Sequence, residues 1–510
     1  MTDTSIARRS LIGAGWMIAW RMVTRALGFV STLVLARLLV PADFGLVAMA
    51  TAFSGAVDAL SQFGVEDMLI RRAEDDTRLH DAAFTLQAGR SVLTGGLIAL
   101  GAPVAARWFA EPRLVPVLVV LGVLSGLAGF ENIGMVAFRR DLRFDMQFRV
   151  SLIPRLLQVV ATIAVAWLTR SYWALLAGMA VMRLVRLAMT YAVHPYRPRF
   201  SLAGWRELAE FSFWLWLASL ARLVWDRFEP FVVGPKFGAA SLGAYQIAGL
   251  VAVLPISEFV APAADVLLAG FSLAQRDGNR ATQDSVPLAL ALLLLLAPMG
   301  LAMSAGAGDV VRVLLGAKWA VAGPLVSVFA FYCLWAPAGY VCRALLVATG
   351  KVRREFVVMA AVAAIKVVVI WEAVRTYGLV VVAGASVACS AIETLLFVAQ
   401  IWPVRGPAGR RALGGLVRVA LGGLVAWGAL EQTGVGWGSP GMAAPSGNPA
   451  GIGVAVLHLI LLGVVAVGAC WGSVAALWFM AGRPQGPETL LTRVAGQFLR
   501  PCLAWVRGTV

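Results

Sequence analysis

Apolar stretches of about twenty residues alternate with short polar joints along the whole 510-residue chain. A helix needs roughly 20 apolar residues to cross a bilayer, so each stretch predicts one transmembrane helix. Fourteen follow, over Leu11–Leu35, Phe44–Phe63, Ala82–Ala105, Leu114–Phe138, Ser151–Leu168, Trp173–Val193, Leu208–Val233, Leu242–Leu268, Val286–Ala307, Ala322–Ala348, Phe356–Val374, Leu379–Ile401, Leu413–Leu430 and Ile452–Met480. The longest polar gaps lie near His194–Glu207, at Glu431–Gly451 and after Gly482, so no soluble domain fits between the spans. The gap from Glu431 is rich in Gly and Pro and reads as a flexible outer connection. The tail interleaves Leu490, Leu491, Val494, Phe498 and Leu499 with Arg493 and Arg500, the pattern of an amphipathic helix on the inner membrane surface. The expected class is an all-α polytopic membrane protein with about 14 transmembrane helices.

Composition agrees with that reading: 60% of residues are hydrophobic, and the mean hydropathy is +0.82. The formal net charge of +16 sorts by side of the membrane. With Met1 inside, the inner segments carry 24 Lys and Arg residues and the outer loops 8. Positive residues favour the cytoplasmic side, so both termini are expected there and the span number is expected to be even. The basic residues occupy short joints and build no compact basic domain, which argues against nucleic acid as a partner and for anionic membrane lipids. The first apolar run is long and holds arginines, unlike a cleavable signal.

Several kinds of chemistry have no foothold. No GxxxxGK[ST] loop is present to cradle ATP, and no HExxH or paired CxxC to hold a metal. Cys333, Cys342, Cys389 and Cys470 lie in spans and Cys502 in the tail, and they read as small buried apolar residues. Of the three histidines, His80 and His194 adjoin inner joints and His458 stands alone in an apolar span. No metal, no cofactor and no catalytic residue is expected, and the chain is not expected to be an enzyme.

Two weak matches suggest an internal repeat. Ala42-Asp43-Phe44-Gly45 opens the second span and Ala240-Ser241-Leu242-Gly243 the eighth. Arg139-Arg140-Asp141 follows the fourth span and Lys351-Val352-Arg353 the tenth. Both matches join spans six apart, as two six-span lobes of parallel orientation would. The expected division is an N-terminal lobe over 1–207, a C-terminal lobe over 208–402, and two added helices with a cytoplasmic tail over 403–510.

The charges inside the spans carry the functional signal. Arg21 lies ten residues into the first span, roughly 15 Å deep in a core about 30 Å thick. A cation at such depth costs at least ~2.5 kcal/mol. Arg25 is four residues on and shares its helix face. Arg222 and Lys366 are similarly deep, and Arg343 lies nearer an inner end. A basic, water-filled cavity would accommodate them and would suit an anionic cargo such as a diphosphate, whose oxygens match the guanidinium fork. Internal pairing is the competing account, Arg222 with Asp226 and Glu131 with Arg343 across the lobes. Arg155, Arg183, Arg186 and Arg418 lie near expected inner ends, where snorkelling explains them. Asp58, Glu258 and Glu393 are carboxylates suited to a proton or another coupling ion. Glu258 falls between Pro255 and Pro262, which should kink the eighth span.

The segment Leu35-Ala36-Arg37-Leu38-Leu39-Val40-Pro41-Ala42-Asp43-Phe44-Gly45, with Phe63-Gly64-Val65 and Ile70-Arg71-Arg72 after an arginine-bearing first span, resembles the start of the bacterial polysaccharide transporters. These are oligosaccharide flippases of the O-antigen and colanic-acid type, in the multidrug/oligosaccharidyl-lipid/polysaccharide superfamily. The resemblance implies two six-helix lobes around a central cavity and residence in the bacterial inner membrane. It implies alternating-access transfer of an undecaprenyl-diphosphate-linked oligosaccharide for surface or exopolysaccharide assembly, with possible contacts to other assembly proteins. Arg21 and Arg25 match the depth of the span-one cavity arginines of lipid II flippases in that superfamily. Two alternatives stay open: a cation-coupled small-molecule exporter of the same fold, which would depend on carboxylates, and a membrane glycosyltransferase or polymerase. The first outer loop, Ala36–Asp43, is short for an enzyme's chemistry.

Overall fold

A computed structural model describes residues 23–60, 77–140, 144–203, 212–260, 267, 271, 280–402, 407–433 and 449–480. Regular structure among them is helical, with no strand. Ten of these helices are long and apolar enough to cross a membrane, and two shorter apolar helices, Leu114–Ala128 and Ala336–Ala348, accompany them. The chain divides into two units, Met1–Gln246 and Ile247–Val510.

The first unit holds α1 (23–38), α2 (Pro41–Leu60), α3 (Thr77–Trp108), α4 (Leu114–Ala128), α5 (Phe144–Thr169), α6 (Trp173–Val193) and most of α7 (Ser212–Pro255). The start of α2 explains the Pro41-Ala42-Asp43 signature. Pro41 takes the first helical position, where its missing N–H is not needed. The Asp43 carboxylate reaches back to accept from the Val40 N–H at 3.3 Å. That is one half of a capping box, and it occupies an otherwise orphaned donor.

Gly45 and Gly243, paired above as repeat equivalents, meet each other's segments reciprocally. A Cβ on Gly45 would fall 1.7 Å from the Ala239 carbonyl oxygen, and one on Gly243 would fall 1.9 Å from the Pro41 carbonyl oxygen. Each carbonyl lies four residues before the opposite glycine, so the contact has a local two-fold relation. Gly238, at φ 79°, breaks α7 just ahead of this contact. The break separates the stretches expected as the seventh and eighth spans. Gly95 of α3 and Gly122 of α4 form a second close seam, where a Cβ on either would lie 2.3–2.6 Å from the other's carbonyl oxygen. Small residues let membrane helices approach through van der Waals packing, because lipid tails supply no hydrophobic force between them.

The joint after α6 is strapped across the start of α3. The Tyr196 hydroxyl donates to Asp81, the Arg199 N–H donates to the same carboxylate at 2.8 Å, and the Ser201 N–H donates to Thr85 Oγ1 at 2.8 Å. Burial, together with the Asp81 carboxylate, pushes the Tyr196 phenol above its ordinary range. At the turn between α3 and α4, the Arg113 guanidinium grips Glu111 at 2.8 Å and holds its carboxyl below its ordinary value.

The second unit contains α8 (Arg280–Ala305), α9 (Ala307–Leu314), α10 (Gly323–Phe329), α11 (Ala336–Ala348), α12 (Val352–Thr376), α13 (Leu379–Ile401), α14 (Pro407–Gln432) and α15 (Pro449–Met480). The expected unbroken span Ala322–Ala348 is corrected here. It is split into α10, a 3₁₀ stretch Ala330–Leu334, and α11. Trp335 leaves the helical region at φ −141° and Pro337 restarts the helix from its second position. The kink expected in the eighth span takes the form of a π-helical turn, Ile256–Val260, directly after Pro255.

The last two helices pair with each other and pack along α8. Pro298 lacks an N–H, which frees the Leu294 carbonyl of α8. The Trp471 indole of α15 donates to that carbonyl at 2.9 Å. Apolar side chains such as Leu100, Leu424 and Leu457 point outward from their helices, as a lipid-facing surface requires. Cys333, Cys342, Cys389 and Cys470 are buried, and no disulfide joins them among the described residues.

The reciprocal seam yields an expected outcome. Gly45→Val places methyl groups where the Ala239 carbonyl stands, and should lower unfolding stability in detergent by more than about 2 kcal/mol. Gly384→Ala, in open space on α13, should be neutral or slightly stabilising.

Candidate functional site

Each unit gathers its buried charges into a separate cluster. In the first, Arg183 and Arg186 stand three apart on one face of α6 and both reach Glu131, just past α4. Arg183 Nη1 lies 3.1 Å from Glu131 Oε1, and Arg186 Nε lies 2.9 Å from Oε2. Asp58 of α2 feels the charges of Arg90 on α3 and Arg183, and bonds the Ser125 hydroxyl of α4. A polar cavity of about 60 Å³ adjoins the cluster, lined in part by Gln87, Glu131, Asn132, Gln147, Arg186 and Thr190. It has room for water with several polar partners.

In the second unit, Arg343 of α11 donates through Nε to Glu355 Oε1 at 2.6 Å. Glu393 of α13 lies within reach of the charges of Arg343, Lys366 and Glu355. Lys366, midway along α12, is 8% exposed. The interval from Glu131 to Arg343 equals that from Arg139 to Lys351, so the repeat places opposite charges at equivalent positions. Each is held inside its own unit, Glu131 by two arginines and Arg343 by Glu355. The pairing of Glu131 with Arg343 is therefore corrected. Arg183 and Arg186, expected to snorkel, both pair with the half-buried Glu131.

Arg21 lies outside the described residues. Arg25 is on α1 and half-buried. Arg222 lies on α7, with its side chain outside the described residues. Glu258 sits in the π-helical turn, where Ser257 Oγ donates to its Oε1 at 3.2 Å.

One functional candidate was missed. Arg155 of α5 extends its guanidinium to α1 at Gly28, where a Cβ would sit 2.9 Å from Nη2. Arg25 and Gly28 are three apart, so Arg155 arrives on the face of α1 that bears Arg25. Its other Nη donates to Gln158 at 2.8 Å, and no carboxylate contacts it among the described residues. The helix begins at Phe144 rather than Ser151, so Arg155 is roughly 16 Å from its start. The polar residues Asp145, Gln147 and Arg149 hid that earlier start from a hydropathy count.

The geometry can do two things chemically. The Glu131 and Arg343 clusters neutralise charge internally and tie helices together. The α1 face presents donors to an anion. Glu131→Gln should leave Arg183 and Arg186 without their counter-charge and lower unfolding stability by about 1–3 kcal/mol, discounted because both arginines are partly exposed. An unchanged denaturation midpoint would remove the structural role.

Comparison with known proteins is consistent across sequence and structure. A family model described as "Polysaccharide biosynthesis protein" matches residues 34–324. The succinoglycan biosynthesis transport protein ExoT of Rhizobium meliloti (strain 1021) is 28% identical over 333 residues, 65% of this chain and 67% of that protein. The lipopolysaccharide biosynthesis protein WzxC of Escherichia coli (strain K12) is 22% identical over 360 residues, 69% and 72% of the two chains. Among solved structures, the lipid II flippase MurJ in an inward closed conformation superposes with a TM-score of 0.66 at 13% identity, covering 90% of this chain and 99% of that one. An inward-facing multidrug resistance MATE transporter of the MOP superfamily gives 0.56 at 14% identity, covering 82% and 99%. The fold is thus that of these transporters, and the family match over more than half of the sequence makes this chain a member of the polysaccharide biosynthesis protein family.

Proposed function

We propose that the protein is a flippase that moves an undecaprenyl-diphosphate-linked oligosaccharide across the bacterial inner membrane by alternating access, for surface or exopolysaccharide assembly. In this reading the two lobes are 1–207 and 208–402, the segment 403–510 adds two helices and a tail, and both termini are cytoplasmic. The names of the relatives support the cargo class: one is a succinoglycan biosynthesis transport protein, one a lipopolysaccharide biosynthesis protein, and one a lipid II flippase.

The observation that carries the proposal is the approach of Arg155 to the face of α1 that bears Arg25, with Gln158 as its polar partner and no carboxylate contact among the described residues. A diphosphate brings at least two negative charges and matches such a set of donors. Arg21, Arg25 and Arg155 would hold the diphosphate, with Arg222 contributing from α7. Arg343 and Lys366 lie by carboxylates of the second unit and would meet cargo only after exchanging those partners. Asp58 and Glu393 stand beside cations and suit internal neutralisation. Glu258, in a π-helical turn of the kind frequent at functional sites, is the carboxylate best placed for a coupling ion.

Complementation of a strain lacking the transporter tests this. Arg25→Ala and Arg155→Ala should each cut surface polysaccharide by at least about tenfold, the loss of one charge-assisted phosphate contact of roughly 1.5–3 kcal/mol, while membrane levels hold. Arg155→Lys should restore part of it, since it keeps charge and loses the fork. Normal polymer from both alanine variants would remove the site. Drug resistance on overexpression without any change in glycan would favour the cation-coupled exporter.

A further inference from the structure

His458, alone in the sequence of the last span, has a partner in the fold. Its Nδ1 lies 2.6 Å from Oδ2 of Asp309, in the first turn of α9. The contact spans 149 residues of sequence and is enclosed, with side-chain exposures of 11% for His458 and 2% for Asp309. The second carboxylate oxygen, Asp309 Oδ1, is buried with no hydrogen-bond partner among the described residues. Packing around the pair is close: a Cβ on Gly306, the residue ahead of α9, would fall 2.7 Å from Leu459 and 2.9 Å from Leu462 of α15.

A carboxylate can accept about four hydrogen bonds, and here one contact serves it. Burying an ionised carboxylate without a counter-charge is strongly unfavourable. His458 can supply that counter-charge by binding a proton, since imidazole is the side chain that ordinarily changes charge near neutrality. With the proton bound, the imidazolium N–H donates to Asp309 and the pair is neutral. Without it, a net negative charge is sealed between α9 and α15.

The other charged groups on the packed elements are few. Arg312 lies one turn further along α9 and Lys318 on the following 3₁₀ turn. Arg280 and Asp284 lie at the far end of α8, and Arg410, Arg411, Arg418 and Glu431 on α14. From Ser285 onward α8 has none, α10 has none, and α15 has only the Cys470 thiol besides His458.

We propose that Asp309 and His458 form a proton-binding site that makes the docking of the last helix on α9 depend on pH. The site is separate from the arginine face proposed for the cargo. Its ligand is the proton, taken up by the imidazole ring and held against the buried carboxylate. Losing it loosens the first turns of α15 from α9, while the Trp471 bond to α8 holds the other end.

Hydrogen–deuterium exchange of the full chain in phospholipid vesicles tests this, at about pH 5 and about pH 8, the window of histidine titration. Rates are corrected for the intrinsic pH dependence of amide exchange. In the wild type, residues 452–462 should exchange at least about tenfold faster at the higher pH, equivalent to about 1.4 kcal/mol. Asp309→Asn removes the buried charge and should keep exchange slow at both values. His458→Gln keeps a donor but cannot take the proton, and should give fast exchange at both. Equal wild-type rates at the two pH values would overturn the proposal. So would a wild-type pH response surviving in Asp309→Asn, which decides the matter alone if His458→Gln fails to insert.

Discussion

A charge placed within a membrane span must be answered by an opposite charge, by water or by a ligand. That constraint arranges most of this protein. Moving one cation to the bilayer centre costs at least ~2.5 kcal/mol, so the helices are ordered around where each counter-charge lies. Glu131 draws Arg183 and Arg186 together and fixes α6 against the end of α4. Arg343 and Glu355 fix the turn from α11 to α12. Arg155 is the departure from the pattern: its guanidinium is spent on Gln158 and on the surface of α1. No carboxylate contacts it among the described residues, and a cation so placed suits an anion that comes and goes.

The same constraint applied to backbone polar groups explains the breaks. Pro298 frees a carbonyl and Trp471 answers it from another helix. Asp43 answers the Val40 N–H at the start of α2. The close approach of Gly45 and Gly243 to opposing carbonyls has no polar answer and needs none. It depends on the absence of side chains, which is why small residues recur in seams where lipid gives no hydrophobic drive.

The helical class, the positions of most spans and the family were legible in hydropathy and in the Leu35–Gly45 segment, since both are local properties. The pairing of charges was less so. Arg155 looked like a residue near a span end because hydropathy places a boundary where polarity rises, and α5 already begins at Phe144, ahead of Asp145, Gln147 and Arg149. The pairing of Arg183 and Arg186 was hidden because Glu131 lies 52 and 55 residues away. Glu131 and Arg343 looked like partners because they are opposite in charge and equivalent in the repeat, but each has a nearer partner within its own unit. His458 looked isolated because Asp309 is 149 residues away. The split of the tenth span had one local sign, Pro337, which the surrounding apolar run obscured.

Leaflet exchange measures the central claim most directly. Purified protein in vesicles carrying an undecaprenyl-diphosphate-linked oligosaccharide in the outer leaflet should lower its accessibility to an external glycosidase over time, and Arg155→Ala should slow this by about tenfold or more. Exchange by Arg155→Ala and Arg25→Ala at the wild-type rate would contradict the account.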